Sequence, residues 1–274
     1  MRQHTSVRGR NGGFLEPFFD ESTGRLRAPW RLLAQYLTYK ILVPLFANLL
    51  AVAWLMSGSR RKSGSSGGLD ASVLSGSPAL PLIGGVAGLV GVLLSVWLAG
   101  RLLDRRPFAD FGFRLDGGWW LDLLFGMALG ALLMTAVFLV ELGLGWVTIT
   151  GALETFMPGA PFWLAMLVPA TVFLCVGIYE ELLSRGYQLR NVAEGLNFPG
   201  VGPRNAVLLA WALSSAFFGY LHATNPNATP LSTFHVALAG LMLGFGYVLT
   251  GELAIPIGLH VAWNFFQARF SGSR

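Results

Sequence analysis

The chain has 274 residues, 54% hydrophobic and 12% charged, far from the roughly 25% charged residues of an average soluble domain. That balance excludes an ordinary water-soluble fold and makes a bilayer the expected solvent. Net charge is +5, but the basic residues sit in tails and short loops instead of on one polar face, so nucleic acid is not an expected partner. The single cysteine, Cys175, excludes an intramolecular disulfide and a CxxC metal site; inside an apolar helix it reads as a packing residue.

Taken in order, residues 1 to 24 read as a mobile basic tail with no cleaved signal peptide. Leu26 to Leu37 mixes Arg27 and Arg31 with Trp30 and leucines, as an interfacial amphipathic helix would. A first span is predicted over about Ile41 to Met56, followed by the basic Gly/Ser-rich stretch SGSRRKSGSSGG, a flexible loop by composition. Further spans are predicted over about Ala79 to Ala99 and Trp119 to Trp146, the latter anchored by paired tryptophans. A fourth starts near Phe162 and continues as helix to Asn191; the last three cover about Ala206 to His222, Leu231 to Leu249 and Pro256 to Phe270. The expected fold is therefore all-α, a polytopic transmembrane bundle of about seven spans. It divides into a basic N-terminal segment (1–40), N-terminal spans (41–150) and a C-terminal core (151–274).

Arg101, Arg105, Arg106 and Arg114 mark one loop as cytoplasmic, and with it the N-terminus; Arg60, Arg61 and Lys62 dissent. A multi-pass protein of the cell membrane is expected. GxxxG pairs at Gly84/Gly88, Gly126/Gly130 and Gly240/Gly244 read as close helix packing.

An ionisable group in a span costs roughly 2.5–3.5 kcal/mol on insertion scales, so each one needs a partner, a wet cavity or a helix end. In GIYEELLSRGY the adjacent Glu180 and Glu181 point about 100° apart, and Glu181 has Arg185 at i+4 with the acid first. Glu180 is left without that partner. Phe218 and His222 share the same spacing, as do His260 and Asn264. By contrast His235 reads as packing and Glu141 and Asp122 as interfacial carboxylates. Glu180 lies about 21 Å of helix from Glu194, and His222 about 24 Å from Ala206, so the two can meet across an antiparallel pair. His260, four residues after Pro256, suggests a site in the cytoplasmic half.

A carboxylate beside an imidazole can act as general base on a water attacking a carbonyl, while His260 and Asn264 can donate to the resulting oxyanion. Zinc held by Glu180, His222 and His260 would serve equally. These residues carry a resemblance: EELLSR fits EExxxR, FGYLH fits FxxxH and HVAWN fits HxxxN, in the order seen in the CAAX prenyl endopeptidase and bacteriocin-processing (CPBP, Abi) family of intramembrane proteases. It covers about residues 160–270. The resemblance implies that Glu180 activates water beside His222, that His260 and Asn264 form the oxyanion side, and that Glu181, Arg185 and Phe218 support them. It also implies peptide or lipidated-protein substrates, cleaved near the cytoplasmic face, and leaves open whether zinc is bound. A non-catalytic immunity or scaffold protein with a structural polar cluster is the alternative. A proton-coupled transporter would need repeated broken helices that the sequence lacks.

Overall fold

A computed structural model describes residues 18–20, 23–59, 77–151, 155, 157 and 161–270. Residues 1–17 of the basic tail and the loop holding Arg60, Arg61 and Lys62 lie outside the described residues. Two short strands, β1 (Phe19–Asp20) and β2 (Arg25–Leu26), pair antiparallel and lead into α1 (Ala28–Ser59). Among the described residues this hairpin is the one departure from an all-α chain.

The expected amphipathic helix and first span are a single 32-residue helix, α1. Arg31 explains the difference. It is 4% exposed, pairing with Asp104 and, at 3.1 Å, with Glu194. A charge that looked interfacial is therefore neutralised inside the protein by partners more than 70 residues away, and the helix does not have to break at a membrane surface.

Next, α2 (Ala79–Ala99) runs into a π-helical turn, Gly100–Asp104, and stops at Arg105, which is left-handed with φ 53°. Asp116 caps α3 (Gly117–Gly143) by accepting the Trp119 N–H. The fourth helix, α4 (Phe162–Glu181), continues without a break through a π segment, Leu182–Leu189, into α5 (Arg190–Leu196). Three more helices follow: α6 (Gly202–Leu221), α7 (Pro230–Thr250) and α8 (Ala254–Phe270).

Among the described residues, five spans are long and apolar enough to cross a membrane: those built on α1, α2, α3, α4 with its continuation to Leu196, and α7. The predicted spans at 206–222 and 256–270 form α6 and α8, which are not among the five; α8 has 17 residues, about 26 Å at 1.5 Å each. Outward faces carry large apolar side chains such as Ile41, Leu121, Leu132 and Trp163, each at least 66% exposed. Water would not tolerate so apolar an exterior; the protein is an integral membrane protein.

At the centre lies α8, buried along nearly every residue from Leu253 to Ala262. Small residues let it in. A Cβ on Gly126 would lie 2.4 Å from the Ile255 carbonyl oxygen, one on Gly130 2.6 Å from that of Leu259, and one on Gly258 2.2 Å from that of Leu123. The matching order of these pairs makes α3 and α8 parallel. Contacts of Gly219 with Thr233 and Ala237, and of Gly244 with Trp211, make α6 and α7 antiparallel. Of the six GxxxG glycines only Gly84 faces open space.

One end of the bundle gathers the charges. Glu194 receives Arg106 at 2.5 Å, Arg31 at 3.1 Å, Arg190 at 3.8 Å and Arg25 at 3.9 Å, while Arg114 pairs with Glu252 at 3.4 Å. These residues come from β2, the start of α1, the loop after α2, the approach to α3, α5 and the turn before α8. The α6–α7 turn lies at the opposite end.

Candidate active site

A glycine sets the approach of α4 to α8. One turn before the two glutamates, a Cβ on Gly177 would sit 2.5 Å from Val261 Cγ2, so only a bare backbone brings the carboxylates level with His260. Glu181, fully buried, then holds two donors on one oxygen: Arg185 Nη1 at 2.9 Å and His260 Nδ1 at 2.7 Å to Oε1. Arg185, also fully buried, donates through Nη2 to the Gly240 carbonyl at 2.9 Å, and its guanidinium lies 4.5 Å over the Phe218 ring. This clamp joins α4, its π segment, α6, α7 and α8. The π segment directly follows the two glutamates, and π-bulges inside α-helices are frequent at functional sites.

Glu180 points elsewhere. Its Oε2 lies 3.9 Å from His222 Nε2 and 3.8 Å from His260 Nε2, is buried, and has no hydrogen bond among the described residues. His222, which ends α6, places Nδ1 2.7 Å from the Phe218 carbonyl, and its ring stacks 4.6 Å from that of Phe218. A carbonyl and a carboxylate only accept, so both Nδ1 atoms carry hydrogen; this assigns the tautomers by the hydrogen-bond network. In the neutral rings both Nε2 lone pairs then face Glu180. The three residues surround a point where one small polar species is in reach of all of them.

That point opens into a cavity of about 490 Å³. Phe173, Val176, Val236, Met242 and Trp263 make its walls apolar, and Asn264 joins Glu180, His222 and His260 on its polar side. The sequence reading missed Gln267 and Asn225, which also line it. Gln267 had a signal: with His260 and Asn264 it completes an i, i+4, i+7 face. Asn225 sits in the turn after α6, where periodicity says nothing. His235, expected to pack, is exposed on α7.

The cavity has a direction. The cavity continues to Asn225 beyond α6 and to Gln267 and Ala268 near the end of α8, away from Glu194. At its other end α8 begins already buried, with Leu253 and Ala254 at 0% exposure and Leu253 N–H bonded to the Gly112 carbonyl.

Residues 161–266 match the family model for the type II CAAX prenyl endopeptidases, Rce1-like. This segment is similar to the Rce1-like family. All the site residues expected from sequence lie inside the match, as do α4 to α7 and most of α8, while Gln267 falls just beyond it. The chain is also 26% identical over 179 residues to Uncharacterized protein YyaK of Bacillus subtilis (strain 168), covering 64% of this chain. It spans 56% of that relative's length. No solved structure matches.

Zinc in this site would require Glu180, His222 and His260 as ligands. Tetrahedral zinc with bonds of about 2.0–2.1 Å sets its donors about 3.3 Å apart, closer than the 3.8 and 3.9 Å found here. Among the described residues no three His, Cys, Asp or Glu groups are arranged to hold a metal ion. The residues present do not fit a zinc site, and no step below runs through one.

Proposed function

We propose that the chain is an intramembrane endopeptidase that hydrolyses peptide bonds with Glu180 as general base. The observation that carries this is the convergence of His222 Nε2 and His260 Nε2 on the unbonded Glu180 Oε2 at the head of an apolar cavity. A water donating to Glu180 would attack the scissile carbonyl carbon while its proton passes to the carboxylate. The new carbon–oxygen bond makes a tetrahedral oxyanion. Asn264 Nδ2, and His260 Nε2–H when that ring carries both protons, would donate to it. Collapse breaks the C–N bond; the proton held by Glu180 goes to the leaving nitrogen, with His222 beside Glu180 to relay it. Water is thereby divided between a new carboxyl and a new amine.

Glu181 and Arg185 take no part in bond making. They hold His260 in one tautomer and one orientation, as a carboxylate behind a working imidazole does. The apolar walls suit hydrophobic peptide segments, and the family match supports lipidated or hydrophobic peptide tails as the substrate class.

A direct test incubates the purified chain in lipid with a panel of apolar membrane peptides and weighs the products. Hydrolysis gives fragment pairs whose masses sum to the substrate plus one water. Intact peptides throughout, with the chain folded and Glu180→Gln indistinguishable from wild type in cells, would favour the non-catalytic scaffold instead.

A further inference from the structure

Where α2 ends, the chain folds back on itself. The π segment Gly100–Asp104 is stopped by Arg105, left-handed at φ 53°, whose N–H returns to the Gly100 carbonyl. The same carbonyl accepts the Arg106 N–H at 2.8 Å, and Pro107 then leads away in an extended conformation. Gly100 permits this fold, since a Cβ there would lie 2.5 Å from the Phe111 ring. The turn encloses an open hollow of about 490 Å³ lined by Arg101, Leu102, Arg105, Arg106 and Pro107. Its polar lining is therefore wholly cationic.

The surrounding carboxylates are already taken. Glu194 serves Arg25, Arg31, Arg106 and Arg190, and Asp104 faces Arg31. Arg101 and Arg105 are exposed, and among the described residues neither has a carboxylate within ion-pair distance. Like charges at this i, i+4 spacing repel each other. Arg106, by contrast, is held in place by Glu194, with its side chain 19% exposed. One fixed and two unpaired guanidinium groups thus face a space that an anion would neutralise.

The depth of the hollow suits a lipid. The apolar span built on α2 ends at Asp104. Leu102 in the wall is 67% exposed, and Trp97, one turn before Arg101, is 46% exposed. Trp30 and Trp120, also exposed, stand at the starts of α1 and α3 at the same end of the bundle. Exposed tryptophans gather at the membrane–water interface, the level of phospholipid phosphates. Arginine suits that group because its planar fork can hold two phosphate oxygens at once.

We propose that Arg101, Arg105 and Arg106 bind the phosphate of an anionic phospholipid headgroup, with Leu102 and Trp97 beside the start of its acyl chains. This site shares no lining residue with the Glu180 cavity, and it stands whether or not that cavity hydrolyses peptides.

The test titrates the full chain in neutral detergent with phosphatidylglycerol or phosphatidylcholine and counts bound lipid by native mass spectrometry. One phosphatidylglycerol should bind ahead of the rest, and more tightly than phosphatidylcholine, whose choline cation the arginines repel. Arg101→Gln combined with Arg105→Gln should weaken it by about tenfold or more, the scale of losing hydrogen bonds to a charged group. Arg204→Gln, at an exposed position outside the lining, should leave it unchanged. Each single variant should show part of the loss, so the test survives a double variant that fails to fold. Equal affinity of the wild type and the Arg101 and Arg105 variants, or equal binding of the two lipids, overturns the proposal. Inorganic phosphate is the third arm and should neither displace the lipid nor raise the unfolding temperature. If it does both, and only when Arg101 and Arg105 are present, the ligand is a soluble phosphate and the lipid is overturned.

Discussion

His260 on α8 and Glu181 on α4 share a 2.7 Å hydrogen bond, and the oxygen that accepts it also accepts from Arg185 at 2.9 Å. A buried carboxylate thus aims an imidazole and is itself neutralised by a buried guanidinium. Removing one member of such a pair leaves an uncompensated charge, so Arg185→Ala should cost about 3–5 kcal/mol of stability. Arg185→Lys should recover only part of this, because an ammonium lacks the planar fork that serves both Glu181 and the Gly240 carbonyl. Denaturation of purified protein in detergent measures both. A fully stable Arg185→Ala chain would mean that the clamp is not structural.

Two glycines make opposite predictions. Gly258→Ala drives a Cβ to 2.2 Å from the Leu123 carbonyl oxygen, and parting α3 from α8 should cost about 1–3 kcal/mol. Gly84→Ala meets nothing within 4 Å and should be neutral or stabilising by up to about 1 kcal/mol, the helical preference of Ala over Gly. Equal unfolding temperatures for the two variants would contradict the close α3–α8 packing.

This packing was half legible in the sequence. Hydropathy and GxxxG spacing marked the helices and their contact faces, because both are local and periodic. The i+4 spacing gave Glu181 to Arg185 for the same reason. What stayed hidden is non-local: that Arg31 finds Asp104 and Glu194 and so fuses the amphipathic segment to the first span, and that His260 turns its Nδ1 to Glu181 and its Nε2 to Glu180. That α8 starts inside the protein was hidden as well, because a helix start in sequence does not reveal its burial.

At the arginine-rich end, Glu194 faces four arginines and its side chain is 28% exposed, whereas Arg114 is 69% exposed in its pair with Glu252. Glu194→Ala leaves the nearly buried Arg31 with one partner fewer and should destabilise by about 1–3 kcal/mol. Arg114→Ala should stay within about 1 kcal/mol of wild type, as exposed pairs do. Similar losses for both would contradict a network centred on Glu194.

Asn264 lines the cavity on the same face of α8 as His260. If its amide donates to the oxyanion, Asn264→Ala should lower kcat by about 10²–10³ with KM and unfolding little changed, the usual effect of losing one such donor. A rise in KM with kcat intact would assign Asn264 to substrate binding.

Glu180 carries the central claim, and one substitution isolates it. Glu180→Gln keeps the shape beside His222 and His260 and removes the base. In a reconstituted assay on a cleaved peptide, kcat should fall by at least about 10²-fold, the scale of general-base catalysis, with unfolding unchanged. Wild-type turnover by a folded Glu180→Gln chain would contradict Glu180 as the group that activates water.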